Sequence, residues 1–210
     1  MRPLAWLDPW VLRRPFAGRA AARYARQRRG FGDFDARLIA RMQPDLARAR
    51  VVLDLGAGAG ELATAIRRAH PDVAVVTVEP SAAYGASTSR ALRARGEALP
   101  LATGVVDVAV CLSSLRHVRE RAAVLRELRR VVSPSGAVYI AELDPGADAA
   151  RRDEHVRGMS SPIARAAFAW IVLPTCPSAE HFEIEARAAG WRHVDWQPDR
   201  RQPLYVMRLC

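Results

Sequence analysis

Apolar residues along positions 51–143 recur in two alternating patterns, which predict strands followed by helices. Short unbroken runs of aliphatic and β-branched residues are typical of strands buried on both faces, whereas apolar residues three and four positions apart mark one face of a helix. The predicted strands are 51–55, 73–78, 95–98, 107–112 and 137–143, and the predicted helices are 61–69, 81–94 and a segment through 124–132 that Ser133 and Pro134 end. This alternation predicts a parallel sheet with helices on both faces.

The carboxyl-terminal part of the chain follows a different pattern. A predicted helix over 180–189 ends at Gly190, and two predicted strands, 191–196 and 204–209, are joined only by the polar segment 197–203. Because a crossover between parallel strands needs a dozen or more residues, this connection predicts an antiparallel pair at the end of the sheet.

A glycine-rich turn, DLGAGAG at 54–60, follows the first strand and opens the first helix. Glycines let the backbone turn tightly and approach a ligand closely. A nicotinamide-binding turn reads G-x-G-x-x-G around a pyrophosphate, which the carboxylate of Asp54 would repel. Asp54 instead suits a positively charged group, and Glu79, at the end of the second strand, suits a ribose diol. S-adenosylmethionine, an amino acid joined to a nucleoside, satisfies both.

Five segments extend this motif in a fixed order: VVLDLGAGAG, VVTVEPS, GEALPLATGVVDVAV, LRHV and LRELRRVVSPSGAVYIAE, which together cover about 51–142. In this order they resemble class I S-adenosylmethionine-dependent methyltransferases, especially the small-molecule branch that includes the ubiquinone and menaquinone biosynthesis enzymes. The resemblance implies an α/β, Rossmann-like, mostly parallel sheet of seven strands in the order 3-2-1-4-5-7-6, with strand 7 antiparallel. It also implies S-adenosylmethionine as the cofactor and methyl transfer to O, N or C of a small molecule.

The resemblance also implies a cofactor-binding role for nine residues. Asp54, Gly56 and Gly58 would hold the methionine end and Glu79 the ribose, Pro80 would flank the adenine, Ala98 and Leu99 would border its other side, and Leu112 and Ser113 would lie beneath the sulfonium. Two positions depart from the family pattern. Arg95 lies in the segment that usually carries an acid for the adenine amino group, so Glu97 would have to replace that acid. Ser135 replaces the first glycine of a Pro-Gly-Gly turn, a tolerable change.

No catalytic residue follows from these motifs. His117 is a candidate base, although a packing role beneath the next helix is favoured, and His155 and His181 are weaker candidates. Methyl transfer from a sulfonium is an in-line displacement that mainly needs alignment and exclusion of water, so a base is optional. The sequence has no cluster of histidines, acids and cysteines at ligand spacing, and we expect no metal.

The net charge of +10 is concentrated near the amino terminus. Residues 1–50 hold 12 arginines against 4 aspartates, and 13–29 hold seven arginines and no acid. All 32 basic residues are arginine and none is lysine, which an AT-poor codon supply would also produce. The basic stripe is therefore either a solvated face or a site for RNA, acidic lipid or an anionic substrate. A nucleic-acid methyltransferase and a non-catalytic binding protein of the same fold remain the alternatives, although CLSSLRHV after the fourth strand lacks the motifs of amino- and cytosine-directed enzymes.

Aromatic residues cluster at the two ends of the chain and are sparse between 51 and 143. This distribution predicts a helical arm or lid at 1–45 and a cofactor-binding domain at 46–210 with a cap insertion near 146–180. The acceptor would then bind between the arm and about 148–177, although ordinary packing of the aromatics is an equal alternative. We expect no membrane span. Three scattered cysteines, Cys111, Cys176 and Cys210, favour the cytoplasm, and the oligomeric state stays open.

Overall fold

A computed structural model describes residues 33–85, 91–159 and 161–210. Its described part contains a single six-stranded sheet. The strands are β1 (Val51–Leu55), β2 (Ala74–Val78), β3 (Val106–Leu112), β4 (Val132–Leu143), β5 (Val194–Pro198) and β6 (Leu204–Leu209). Their order across the sheet is β2-β1-β3-β4-β6-β5.

The strands β2, β1, β3 and β4 are mutually parallel, and only β6 runs against its neighbours. The pairs Ile140–Met207 and Trp196–Met207 fix the register of β6 between β4 and β5. The predicted terminal antiparallel pair is therefore confirmed. The carboxyl ends of β1, β2 and β3 lie at one edge of the sheet, which is where open α/β sheets bind ligands.

Helices cover both faces of the sheet. They are α1 (Phe34–Leu46), α2 (Glu61–Ala69), α3 (Arg121–Val131), α4 (Ala149–Arg157), α5 (Pro162–Ala167) and α6 (Ala179–Ala188), with short turns at Ala82–Gly85, Leu115–His117 and Leu173–Thr175. The helices α3 and α6 pack in one buried cluster with the interior of the sheet. The helices α1 and α2 pack on the other face, together with residues of 168–176.

The third of the seven predicted strands, at 95–98, is wrong for the described residues. Leu92 makes one parallel bridge to Val78, and Arg95 and Ala98 pair only with each other across a tight turn. The physical reason is that Arg93, Arg95 and Glu97 leave no apolar run that could extend along β2. The edge position beside β2 is occupied, but only by a single bridged residue. The remaining strand order agrees with the prediction.

Two other boundaries also differ from the prediction. Of the helix expected over 81–94, the described residues contain one turn, Ala82–Gly85, residues 91–94 are not helical, and 86–90 lie outside the described residues. β4 begins at Val132 rather than at residue 137, directly where α3 ends. Pro134 is tolerated there because Pro134 and Ser135 are exposed and lie within the register shift between β3 and β4, between the paired residues Val132 and Ala137.

Only the end of the predicted arm falls within the described residues. Phe34, Leu38 and Met42 of α1 are buried against β1, β3 and β4. Asp45, near the end of α1, accepts hydrogen bonds from the Tyr139 hydroxyl (2.6 Å) and the Arg208 guanidinium (2.8 Å). α1 is thus joined to the sheet by apolar contacts and a buried polar network, whereas residues 1–32 lie outside the described residues.

Candidate cofactor and acceptor site

The glycine turn between β1 and α2 has the backbone conformation that the sequence predicts. Gly56, Gly58 and Gly60 have φ angles of 74°, 55° and 78°, in the left-handed region that side chains rarely adopt. The N–H groups of Gly56 and Ala57 both donate to the carbonyl of Val78, at 2.8 and 3.2 Å. The turn is therefore held against the end of β2.

The space around Gly56 is filled, whereas the space around Gly58 is open. A Cβ atom built on Gly56 would lie 2.5 Å from the Ser114 Cβ, so this glycine is needed for close packing. A Cβ atom on Gly58 would meet nothing within 4 Å. The turn is thus packed on the side of β3 and open at Gly58, which leaves room for a ligand at that point.

Two carboxylates lie beside this opening. Glu79, only 7% exposed, accepts hydrogen bonds from the Gly58 N–H at 2.9 Å and the Ser81 N–H at 2.8 Å. Asp54, 2% exposed, is the last residue but one of β1, and its charge helps to raise the pKa of the buried Cys111 thiol, although burial is the main cause. The structure therefore brings Gly58 and Glu79 into contact and places Asp54 next to the same turn.

The remaining predicted cofactor residues lie around the same edge. Pro80 and Ala98 are exposed, and Leu99 is buried in the cluster that contains Leu55 and Val78. Leu112 and Ser113, each 7% exposed, end β3. All nine predicted residues are thus at strand ends or in adjoining loops on one side of the sheet, although their contacts to a cofactor stay a prediction.

The loop that carries Leu99 is fixed by an ion pair on α3. The Glu127 carboxylate accepts the Leu99 N–H at 2.8 Å and pairs with Arg130 at 2.6 Å. Arg130 in turn donates to the carbonyls of Leu99 and Leu101. The position expected to border the adenine is therefore held by two side chains to which the sequence analysis gave no role.

The turn after β3 contacts both the end of β1 and the segment 168–176. Ser113 has a φ of 51°, unusual for a residue with a side chain, and its N–H donates to the Ala141 carbonyl at 2.7 Å. The Ser114 hydroxyl donates to the Leu55 carbonyl at 3.1 Å. His117 is half-buried in the 3₁₀ turn Leu115–His117. Both roles suggested for His117, as a base and as a packing residue, stay predictions.

Polar side chains gather where this turn meets residues of α4 and of the segment 168–176. Arg116 is 8% exposed and lies 3.5 Å from the Cys176 sulfur. In α4, His155 contacts Gln202 at 3.1 Å and stacks on Phe168 with ring centroids 4.4 Å apart. Burial, and to a smaller degree the charge of Arg116, lower the pKa of His155, which favours the neutral imidazole. His181 lies outside this group, since it is exposed on α6 beside Glu185.

The most informative residue to which the sequence analysis gave no role is Glu142, the single acid within the apolar run of β4. Its carboxylate is fully buried and accepts the N–H groups of Leu115 at 2.7 Å and Arg116 at 3.2 Å. Burial raises its pKa to about 7, although Arg116 and the backbone N–H groups oppose that change. An acid inside an otherwise apolar strand was the available sequence signal.

The described residues show neither a metal-binding cluster nor a link between the glycine turn and the cleft at Asp107. Within the three described ranges, no group of three or more histidines, cysteines and acids is arranged to hold a metal ion. A cleft lined by residues of α1, β3 and β4, among them Asp45 and Asp107, lies at the opposite edge, since Asp107 bonds to the N–H that begins β1. That cleft is remote from the glycine turn.

Comparison with known proteins agrees with the geometry. Residues 53–140 match the family model described as a methyltransferase domain. A demethylmenaquinone methyltransferase of Corynebacterium urealyticum is 30% identical, with 75% of this chain and 74% of that protein covered. The chain belongs to the class I S-adenosylmethionine-dependent methyltransferases. The resemblance inferred from the sequence motifs is thereby confirmed.

Other relatives of this methyltransferase agree in family and fold. A ubiquinone/menaquinone biosynthesis C-methyltransferase of Syntrophotalea carbinolica is 34% identical over 61% of this chain and 60% of that protein. The chain spans between 38% and 74% of the length of the curated relatives it matches. The plantazolicin methyltransferase structure in complex with SAH superposes with a TM-score of 0.74 at 11% identity, covering 97% of this chain and 93% of that one, which shows a common fold.

The residues around the glycine turn fit the cofactor of this family. Gly58 leaves open space, Glu79 offers acceptor oxygens beside it, and Asp54 supplies a negative charge at the end of β1. A ligand with an ammonium group and a ribose diol matches this set of groups.

No helix in the described part of the methyltransferase combines the length and the apolar character that crossing a membrane would require.

Proposed function

We propose that this protein transfers a methyl group from S-adenosylmethionine to a small aromatic acceptor of the reduced-quinone type. The observation that carries the proposal is the open glycine turn with Glu79 bound to Gly58 and Asp54 beside it. The acceptor class rests on the relatives whose names specify ubiquinone, menaquinone or demethylmenaquinone. We place the protein in a reducing cytoplasm, where Cys111, Cys176 and Cys210 would stay as thiols.

The chain's own residues would hold and orient the reactants. Asp54 would accept the ammonium of the methionine end, Glu79 the ribose hydroxyls, and Leu99 would border the adenine. S-adenosylmethionine supplies, when bound, an electrophilic methyl group on a positively charged sulfur. Ser113 lies at the end of β3, on the side from which the acceptor would approach. The cap would exclude water, which strengthens the alignment that an in-line displacement requires.

Cofactor binding and methyl transfer are tested separately. The full chain is titrated calorimetrically with S-adenosylhomocysteine, and labelled S-adenosylmethionine is then offered with short-chain demethylmenaquinol, simple phenols, carboxylic acids or tRNA. We expect binding and transfer to the quinol. Absence of binding contradicts the cofactor assignment, binding without any transfer supports the non-catalytic alternative, and transfer to tRNA alone supports the nucleic-acid alternative, which no relative favours.

Truncation tests whether residues 1–32 close the acceptor site. The cut precedes Asp33 because Phe34 is buried at 1% exposure, so a deletion of 1–34 would open a cavity in the core. We expect residues 33–210 to retain affinity for S-adenosylhomocysteine and to lose methyl transfer, since the aromatic arm would no longer exclude water. Circular dichroism checks that the core remains folded. Transfer at the full rate by the truncated protein would show that the arm is not a lid.

A further inference from the structure

The carboxylate that ends the last of the five recognised segments, and to which the sequence analysis gave no role, is buried beside the turn after β3. Glu142 lies at the end of β4, opposite Tyr205 in β6, and its side chain is 0% exposed. One of its oxygens, Oε1, accepts the N–H groups of Leu115 and Arg116, while Oε2 has no hydrogen-bond partner among the described residues. Burying a carboxylate costs free energy unless the hydrogen bonds that it makes offset the loss of water.

The groups that Glu142 binds belong to residues 113–117, which we call the β3 turn. Besides the two bonds to Glu142, this turn donates from Ser113 to Ala141 and from Ser114 to Leu55. The β3 turn is therefore held to β4 by three hydrogen bonds and to β1 by one. Since Ser113 is in the strained left-handed conformation, these bonds determine where it lies.

The β3 turn is also in close packing contact with the glycine turn. The contact is between Ser114 and Gly56, where an added Cβ would lie only 2.5 Å from that of Ser114. Any shift of the β3 turn therefore alters the geometry of that part of the site in which the transferred methyl group is expected to lie. A displacement of about 1 Å at a reacting centre lowers rates by up to roughly 100-fold.

We propose that Glu142 is a positioning residue for methyl transfer, whose carboxylate holds the β3 turn and with it Ser113 in the geometry required by the reaction. The assignment rests on the proposed function. Glu142 itself acts through the turn and does not touch the reactants. A residue needed only for folding would affect the amount of folded protein and leave the rate of each folded molecule unchanged.

The protonation of Glu142 gives this role a pH dependence. Burial raises the pKa of the carboxyl to about 7, and the ionised form is the stronger acceptor for the two N–H groups. The charged and titratable groups that face it are Arg116 in the β3 turn, Arg121 in α3, Cys111 in β3 and Tyr205 in β6. The rate of methyl transfer should therefore fall as the pH decreases through about 7.

Two substitutions at Glu142 separate its charge from its acceptor oxygen. Glu142→Gln keeps an acceptor of the same size without the charge, and Glu142→Ala removes the acceptor. Glu183→Gln is the matched control, because Glu183 pairs with Arg187 at 2.8 Å within α6, on the same face of the sheet, and contacts neither Arg121 nor the β3 turn in any hydrogen bond or ion pair of the described residues. Measurements are kcat and KM with short-chain demethylmenaquinol from pH 5.5 to 8.5, affinity for S-adenosylhomocysteine, and amide hydrogen exchange.

We expect Glu142→Ala to lower kcat by roughly 10- to 100-fold. Its S-adenosylhomocysteine affinity should change much less, and amide exchange at 113–117 should become faster. Glu142→Gln should keep the kcat that the wild type shows at low pH across the whole range, while Glu183→Gln should follow the wild-type profile.

An unchanged kcat or unchanged exchange in Glu142→Ala would overturn the assignment, as would a loss of activity that disappears when the protein is fully folded at low temperature. Absence of methyl transfer by the wild type would contradict the proposed function instead.

Discussion

Replacing Gly56 with alanine should destabilise the protein and weaken its cofactor binding together. The left-handed conformation at this residue costs about 1–2 kcal/mol when a Cβ is present. The new Cβ would also lie 2.5 Å from the Ser114 Cβ, and overpacking of this kind costs roughly 1–3 kcal/mol. Because Ser114 is hydrogen-bonded to Leu55, it cannot move away without breaking that bond. We expect a total loss of about 2–5 kcal/mol in the free energy of unfolding.

Two other glycines separate backbone strain from the loss of space. Gly58 and Gly104 are also in the left-handed region, and nothing lies within 4 Å of a Cβ built on either. Both alanine substitutions should therefore lower the free energy of unfolding through backbone strain alone. Gly58→Ala should in addition weaken S-adenosylhomocysteine binding, because its methyl group enters the open side of the turn. Chemical denaturation and calorimetry measure the two effects. Equal cofactor affinities of the Gly58 and Gly104 variants would contradict the proposed location of the ligand.

The double substitution Gly56→Ala with Ser114→Gly tests the packing contact directly. Removing the Ser114 side chain removes the clash but leaves the strained φ of residue 56. The double variant should therefore lose less free energy of unfolding than the sum of the losses in the two single variants, because the two side chains are in contact. Additive losses would show that Ser114 is free to move and that the cost lies in the backbone alone.

The elements that the sequence predicted well have both a clear apolar pattern and a local stop signal. β1 ends at glycines, and α3 ends where Ser133 and Pro134 follow. The segment near 95–98 has neither feature. Its place at the edge of the sheet depends on one bridge between Leu92 and Val78. This is a tertiary contact, and no local pattern predicts it because charged residues interrupt the apolar positions nearby.

The same distinction applies to the site. Asp54, Glu79 and the glycines share one motif and its neighbouring strand, so their proximity could be predicted from the order of strands and turns. Glu142 and the β3 turn are about 27 residues apart and meet only because β3 and β4 are adjacent parallel strands whose carboxyl ends coincide. Sequence spacing does not encode that bond. Side-chain direction also decides it, since Glu142 must point to the α3 face of the sheet.

Replacing Glu79 with alanine should weaken cofactor binding more than it destabilises the fold. In the structure the carboxylate is bonded to the Gly58 and Ser81 N–H groups, and each oxygen retains a lone pair for a ribose hydroxyl. Loss of hydrogen bonds to a charged group costs about 1–3 kcal/mol, which corresponds to a roughly 5- to 150-fold increase in the Kd for S-adenosylhomocysteine. Isothermal titration calorimetry on the folded variant measures this change.

The conservative variant Glu79→Gln distinguishes ribose binding from support of the glycine turn. The amide keeps one acceptor oxygen, so it can satisfy only one of the two backbone N–H groups, and its NH₂ group would face the other. It should bind S-adenosylhomocysteine with an affinity between those of the wild type and Glu79→Ala. Asp72→Asn, an exposed position before β2, should leave both affinity and stability unchanged. If Glu79→Ala instead lowers the melting temperature but binds the ligand as tightly as the wild type, Glu79 serves the conformation of the glycine turn and the ribose is held elsewhere.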